Sequence, residues 1–235
     1  MVQSRCGIEC NLCKYRESVG CVGCAGCTSI GKPFWGNSCD VKTCCEGRGF
    51  AYCGQCPDFP CEVLKAMSYA DEEGDDGKRI ENCRIWRTKE QAIIARAGDL
   101  INSRTDYIGD GMEGWAVLTL IDEKGYPTSS TMTISKADGV NWITFLSDSD
   151  GIKTKRIAGC NKACMCLASS EYHISLTGTV EVITDTGIKK ENWQQTITDH
   201  YKSDWNDPKW AVLRFTAETY NIFFADDDTE AKGSL

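Results

Sequence analysis

The sequence is short of three things, and each shortage excludes a class of function. Positive charge is the first. Twenty-six Lys and Arg stand against 34 Asp and Glu, a net charge of −8 with a pI near 4.9. No broad basic surface can form, so neither nucleic acid nor an anionic membrane is expected as a main partner. Long apolar runs are the second: "WAVLTLI", residues 115–121, is far shorter than the roughly 20 residues a bilayer-spanning helix needs. No apolar h-region follows the opening "MVQSR", so no secretory signal is expected and the cytoplasm is the expected compartment. Histidine is the third. His173 and His200 are the only two, each is expected to be structural or on the surface, and no Ser/His/Asp or paired-carboxylate constellation stands out.

What the sequence has in excess is cysteine, sixteen in all, thirteen of them between Cys6 and Cys83; the remaining 152 residues hold only Cys160, Cys164 and Cys166. Two compositional regimes predict two domains, a Cys-rich metal-binding domain over residues 1–83 and a second domain over 84–235. In a reducing compartment such density points to metal rather than to a disulfide framework. The thiols fall into groups: Cys6, Cys10 and Cys13; Cys21, Cys24 and Cys27; Cys39 with adjacent Cys44 and Cys45; and Cys53, Cys56 and Cys61. All twelve are candidate ligands, although two adjacent thiols cannot serve one ion equally, so one of Cys44 and Cys45 is expected to be spare. Paired knuckles suit tetrahedral zinc, whereas a C-x2-C-x2-C run such as Cys21, Cys24 and Cys27 suits an iron–sulfur cluster. The first triplet has the spacing of radical-SAM enzymes, but nothing here provides their barrel. Cys160, Cys164 and Cys166 are expected to be small core residues, the alternative being that one of them approaches a bound cofactor or completes a metal cluster of the first domain.

Residues 1–61 show little periodicity and many Gly, as expected where metal rather than a core organises the chain. "CEVLKAMSYA" (61–70) predicts a short helix, and "DEEGDDGK" a solvated turn or linker. An amphipathic helix is predicted from about Arg87 to Ser103, with Thr88 as its N-cap. Beyond it the texture is that of strands. A hairpin turns at "DEKG", "GVNWITFLS" is a strand, "GIKTKRIAG" a short helix, and "ACMCLAS" a buried strand. "HISLTGTVEVIT" follows as a long strand with a bulge at Gly178. "KKENWQQTITDHY" predicts one helix, and "WAVLRFTAETYNIFF" a last strand or pair. Six or so strands with short helices predict a mainly β fold with flanking helices, a small barrel preceded by the Cys-rich domain.

"SDSDGIKTKR" offers hydroxyls, a helix N-terminus and cations, the arrangement a phosphate needs. The succession "DEKGYPTSSTMTIS", "WITFLSDSDGIKTKRIAG", "ISLTGTVEVITD" and "ENW" resembles the pyridoxamine-phosphate-oxidase-like FMN-binding split barrel, in its general-stress flavoprotein branch, over residues 88–224. The resemblance implies FMN as cofactor. It implies Ser147 as the hydroxyl at the strand end, Lys153 as the basic residue of the following helix and Ser149 as a second hydroxyl. Lys155 and Arg156 are expected to be solvated helix charges. It further implies that Ser129, Ser130, Thr131, Met132 and Thr133 run along the isoalloxazine edge, although many relatives begin that strand with an Arg. Trp193 matches an aromatic near the flavin. The family pairs two barrels with FMN at the interface, which implies a homodimer. The residues that hold the vitamin B6 substrate have no match here, so synthesis of that vitamin is not expected.

"CGIECNLCKY", "GCVGC" and "CGQCPDFPC" resemble an uncharacterised Cys-rich domain, over residues 5–65, for which a metal role is implied. A flavin beside these thiols favours an iron–sulfur cluster that relays electrons, with zinc as the alternative. The expected function is therefore a flavoprotein oxidoreductase acting with a redox partner or small-molecule substrate. The rival is a non-catalytic flavin-binding or sensor protein with a zinc-stabilised interaction domain, and a deazaflavin or haem could replace FMN in the barrel.

Overall fold

The computed structural model describes residues 4–13, 21–26, 39–72, 74–105 and 115–235. The chain divides into two compact units, Met1–Gln91 and Ala92–Gly233. Cys27 lies outside the described residues.

Short helices make up the first unit: α1 (Gly23–Gly26), α2 (Asp40–Gly47), α3 (Glu62–Ser68) and the first part of α4 (Lys78–Asn102). Cys10–Leu12 and Cys53–Gln55 form single 3-10 turns. The buried core is small, and half of it is sulfur: Cys6, Cys45, Cys53 and Cys83 pack with Val41, Tyr52, Leu64 and Ile80. A core of this size stabilises little by apolar burial alone.

Helix α4 begins nine residues before the expected start at Arg87. The acidic turn before it is a helix start, because the Asp75 carboxylate accepts from the Arg79 backbone N–H (3.2 Å) and from the Ser68 hydroxyl (2.8 Å). Asp75 thus caps the first turn, Ile80 and Cys83 extend the apolar face N-terminally, and Thr88 is a mid-helix residue whose hydroxyl donates to Arg84 O.

The second unit holds the strands β1 (Trp115–Ile121), β2 (Pro127–Asp138), β3 (Trp142–Asp148), β4 (Lys162–Ala168), β5 (Tyr172–Ile183), β6 (Trp210–Phe224) and β7 (Thr229–Ser234). Spatial order is β3-β2-β1-β4-β5-β6-β7, and β3 also pairs with β6. Strands β1 to β6 therefore close into a six-stranded antiparallel barrel, the mainly β architecture expected, with β7 added beside β6. The β1–β2 hairpin turns where predicted: Asp122 Oδ1 accepts from the N–H groups of Lys124 and Tyr126, and Gly125 takes φ +85°. Gly178 sits at a register shift between β5 and β6. A Cβ there would lie 2.0 Å from Thr216 O, so only glycine lets the strands close.

Ile134, Ile143, Phe145, Met165, Leu176 and Phe215 are fully buried inside the barrel, with Ala97 and Ile101 of α4 packed on them. Three further helices flank it: α5 (Ile152–Gly159), α6 (Thr186–Asn192) and α7 (Gln195–Tyr201). The single helix expected over 189–201 is broken at Trp193 and Gln194. The cause is tertiary, since Gln194 Nε2 donates to Thr105 O and Ile134 O and so pulls its residue out of helical register. Among the described residues no helix is long and apolar enough to cross a membrane.

Candidate functional site

Two-residue alternation divides the proposed isoalloxazine strand between two faces. Ser129, Thr131 and Thr133 are exposed on the outside of the barrel, Ser130 is half-buried, and Met132 is a core residue. On the outer face Ser129 stands opposite Thr119, their hydroxyls 2.9 Å apart, while Thr131 faces Val117 and Thr133 faces Trp115. Across β1, Thr119 pairs with Cys164 and Val117 with Cys166. The outer face therefore gathers Ser129, Thr131 and Thr133 with two thiols and with Trp115 and Val117, which are 44% and 37% exposed.

This corrects the expectation that Cys164 and Cys166 are core. Their neighbours Met165 and Leu167 take the inward positions, and the two thiols are half-buried on the opposite face, with Cys164 Sγ 3.5 Å from the Ser175 hydroxyl. Trp115, Val117 and Thr119 are not among the residues that the sequence singles out. The strict alternation in "WAVLTLI" and "CMCLA" is the signal that places them.

Ser147 lies near the end of β3 and is buried. Ser149 is committed to backbone: its N–H donates to Lys209 O (2.7 Å) and its hydroxyl to Pro208 O (2.8 Å), which pins the loop to the start of β6. Helix α5 then starts at Gly151 with no side-chain cap, so its first-turn N–H groups meet no side-chain acceptor from the cap position. It packs against β1, β3 and β5.

Lys155 is paired with Asp150 (3.2 Å), both exposed. Lys153 has no ion-pair partner among the described residues. Arg156 differs from the solvated charge expected of it: it is half-buried, and its Nε is buried without a hydrogen-bond partner among the described residues. Three positions apart, Lys153 and Arg156 share one helix face. An open cleft of 540 Å3 lies along the other face, lined by Ser149, Asp150, Thr154 and Lys155 among others. Trp193 follows α6 rather than lying in it; its Nε1 donates to the Thr198 hydroxyl, and its ring meets Trp210 edge-on with centroids 5.6 Å apart.

An uncapped helix start, a buried serine, a free lysine and an orphaned guanidinium nitrogen fit a phosphate monoester. Each is a donor or cation with capacity to spare.

In the first unit the Arg5 backbone carbonyl ties two thiol-bearing segments together, accepting from the Cys53 N–H (2.8 Å) and the Cys45 thiol (3.8 Å). Cys45 Sγ and Cys53 Sγ are 3.5 Å apart. That contact lowers the Cys45 pKa and, together with burial, raises that of Cys53. Burial raises Cys6 and Cys10, pushes Cys24 up to about 11 and pushes Cys83 up to about 12.

Cys21 Sγ accepts from the Gly23 N–H, and Cys56 Sγ from Arg48 Nη1 (3.1 Å). Cys13, Cys39, Cys44 and Cys61 are half-buried. All fifteen described cysteines are free thiols, and among the described residues no three His, Cys, Asp or Glu groups stand close enough together to hold an ion. Cys83 belongs to none of the spacing groups, because it arrives from α4, and only the fold places it among them.

Comparison with known proteins gives two family matches. Residues 105–230 match the family model described as pyridoxamine 5'-phosphate oxidase like, and residues 2–66 match one described as protein of unknown function (DUF3795). No curated protein matches the chain. Similar solved structures include a Clostridium acetobutylicum protein related to general stress protein 26 of B. subtilis, of the pyridoxinephosphate oxidase family. It is 22% identical with a TM-score of 0.51, over 60% of this chain and 95% of that one. A NimC/NimA family protein from the same organism is 17% identical, with a TM-score of 0.47 over 63% and 96%. General stress protein 26 of Bacillus anthracis is 17% identical, with a TM-score of 0.44 over 62% and 96%.

Proposed function

The chain belongs to the pyridoxamine 5'-phosphate oxidase-like family, and from that premise we propose that it is an FMN-dependent oxidoreductase of the cytoplasm. In this reading residues 84–235 bind the flavin in a dimeric barrel. Residues 1–83 carry metal, with an iron–sulfur cluster that relays electrons to or from it. The observation that carries the flavin reading is the start of α5, where the N-terminus has no side-chain cap and Arg156 Nε is buried without a partner. Lys153 and Arg156 would neutralise the phosphate on one helix face, with the Ser147 hydroxyl and the first-turn N–H groups donating to it. Bound FMN would supply transfer of one or two electrons. Ser129, Thr131 and Thr133 offer hydroxyls on the outer face for the ring edge, and Ser130 and Met132 contribute backbone alone. Ser149 and Trp193 already have intramolecular partners, so they position the loop and the helix break rather than touch the flavin.

The homodimer is supported by the same outer face. Trp115 and Val117 of β1 are each more than a third exposed there, apolar surface that a second barrel would cover. For the metal, the triplet of Cys21, Cys24 and Cys27 favours a cluster, whereas the Cys45–Cys53 separation favours a single ion, so the unit is read as holding both kinds of site.

Titration of the flavin-free protein with FMN tests this reading. Removing one charge-assisted phosphate contact costs about 1.5–3 kcal/mol, so Lys153→Ala and Arg156→Ala should each weaken binding by about ten- to a hundredfold. Lys155→Ala, which loses only an exposed pair with Asp150, should leave affinity unchanged. Unaltered affinity in both Lys153→Ala and Arg156→Ala would place the phosphate elsewhere.

A further inference from the structure

We propose that Cys83 of α4, outside the stretch matched by the Cys-rich family model, is a metal ligand, and that it shares one zinc ion with Cys6, Cys45 and Cys53. The inference rests on reading the first unit as a metal domain and names which thiols form one of its sites.

The first observation is a distance. A thiolate tetrahedron on zinc, with Zn–S bonds of about 2.3 Å, sets its sulfurs about 3.8 Å apart. Cys45 Sγ and Cys53 Sγ, at 3.5 Å, already form one edge of such a figure. In a four-iron cluster each iron takes its own terminal thiolate, so two ligands this close suit a single ion.

The second observation is how the chain presses against Cys83. Two Cys-Gly steps, Cys6-Gly7 and Cys53-Gly54, each lay their glycine on this turn of α4. A Cβ on Gly7 would lie 2.8 Å from Cys83 Sγ and 2.0 Å from Arg79 O; one on Gly54 would lie 2.7 Å from Cys83 O. Asn82 Nδ2 donates to Gly7 O (2.9 Å) and fixes the first of these segments. The two contacts set the Cys6-Gly7 and Cys53-Gly54 steps against the turn of α4 that carries Cys83.

The third is burial. Cys6, Cys45, Cys53 and Cys83 are the four buried thiols of one eight-residue core, with Cys83 fully buried. A lone buried cysteine is an ordinary core residue, but four in so small a core are too many for packing alone. Zinc binding would release the thiol protons, and it requires Cys6 and Cys83 to close on the Cys45–Cys53 pair, since no three of these thiols now stand close enough together to hold an ion. Cys10, Cys13, Cys21, Cys24 and Cys39 remain free for a separate site.

The test is zinc, iron and sulfide analysis of the full chain purified without oxygen, comparing wild type with Cys83→Ala and Leu64→Ala. Leu64→Ala opens a cavity in the same core without removing a thiol. Loss of one zinc equivalent per chain from Cys83→Ala, with wild-type zinc in Leu64→Ala, is the expected result. Wild-type zinc in Cys83→Ala overturns the ligand assignment while leaving a metal domain intact. Equal loss from both variants also overturns it, because packing would then explain the effect. A wild type without any metal overturns the metal domain itself.

Discussion

Glu46→Gln is the substitution whose cost the structure sets most tightly. Lys42 of α2 is 1% exposed, and its ammonium lies 2.5 Å from Glu46 Oε2. The other carboxylate oxygen meets Arg5 Nε at 3.2 Å, next to Cys6. Glu46 thus ties the first cysteine segment to the helix that carries Cys44 and Cys45. Burial works against its ionisation, but the contacts with Lys42 and Arg5 outweigh it and hold the carboxyl below the usual range. Glutamine keeps the shape and an acceptor but removes the charge, leaving an ammonium buried without its counterion. Breaking a buried pair in this way costs about 3–5 kcal/mol. Hydrogen exchange by mass spectrometry resolves the effect, because protection of α2 falls by that free energy while protection of the barrel strands is unchanged. Adding Lys42→Met removes the stranded charge and should restore most of the loss. A shift in α2 below about 0.5 kcal/mol, or a double variant no better than the single one, refutes the buried-charge account.

Gly178→Ala should lower the barrel transition by about 1–3 kcal/mol, since its Cβ would meet backbone atoms that cannot swing aside. An unchanged barrel midpoint in urea would contradict the bulge at β5–β6. Acid should destabilise α2. The depressed Glu46 pKa contributes stability that is fully present above its unfolded value, about 4.3, and lost as pH falls through the folded value. That slope in the α2 stability–pH profile should vanish in Glu46→Gln, and its persistence would assign acid sensitivity to other groups. Metal removal by a chelator should raise exchange in α2 and α3 while the barrel keeps its protection; equal protection before and after would show that the thiols hold no structural ion.

Much of the barrel is legible in the sequence because local chemistry and global fold agree there. The turn at Asp122–Gly125, the strand periods and the glycine at the β5 bulge all point one way. Disagreements arise where tertiary contacts override local pattern. Asp75 starts a helix from a stretch whose acidity and glycines suggest a linker, and Gln194 breaks one whose residues suit continuity. Within the site, residue type misled for Cys164 and Cys166: cysteine is commonly buried, yet Met165 and Leu167 took the inward positions. Arg156 shows the converse, a charge that composition assigns to solvent and packing partly encloses. Cys83 has no spacing partner along the chain, so its place among the thiols follows from the return of α4 past Gly7 and Gly54.

The most direct test of the central claim is an absorption spectrum of protein purified without oxygen, read together with flavin, iron and sulfide analysis. The account predicts flavin bands over broad iron–sulfur absorbance, both bleaching on reduction, with iron and acid-labile sulfide present beside any zinc. Protein that holds no flavin, or zinc with neither iron nor sulfide, would contradict it.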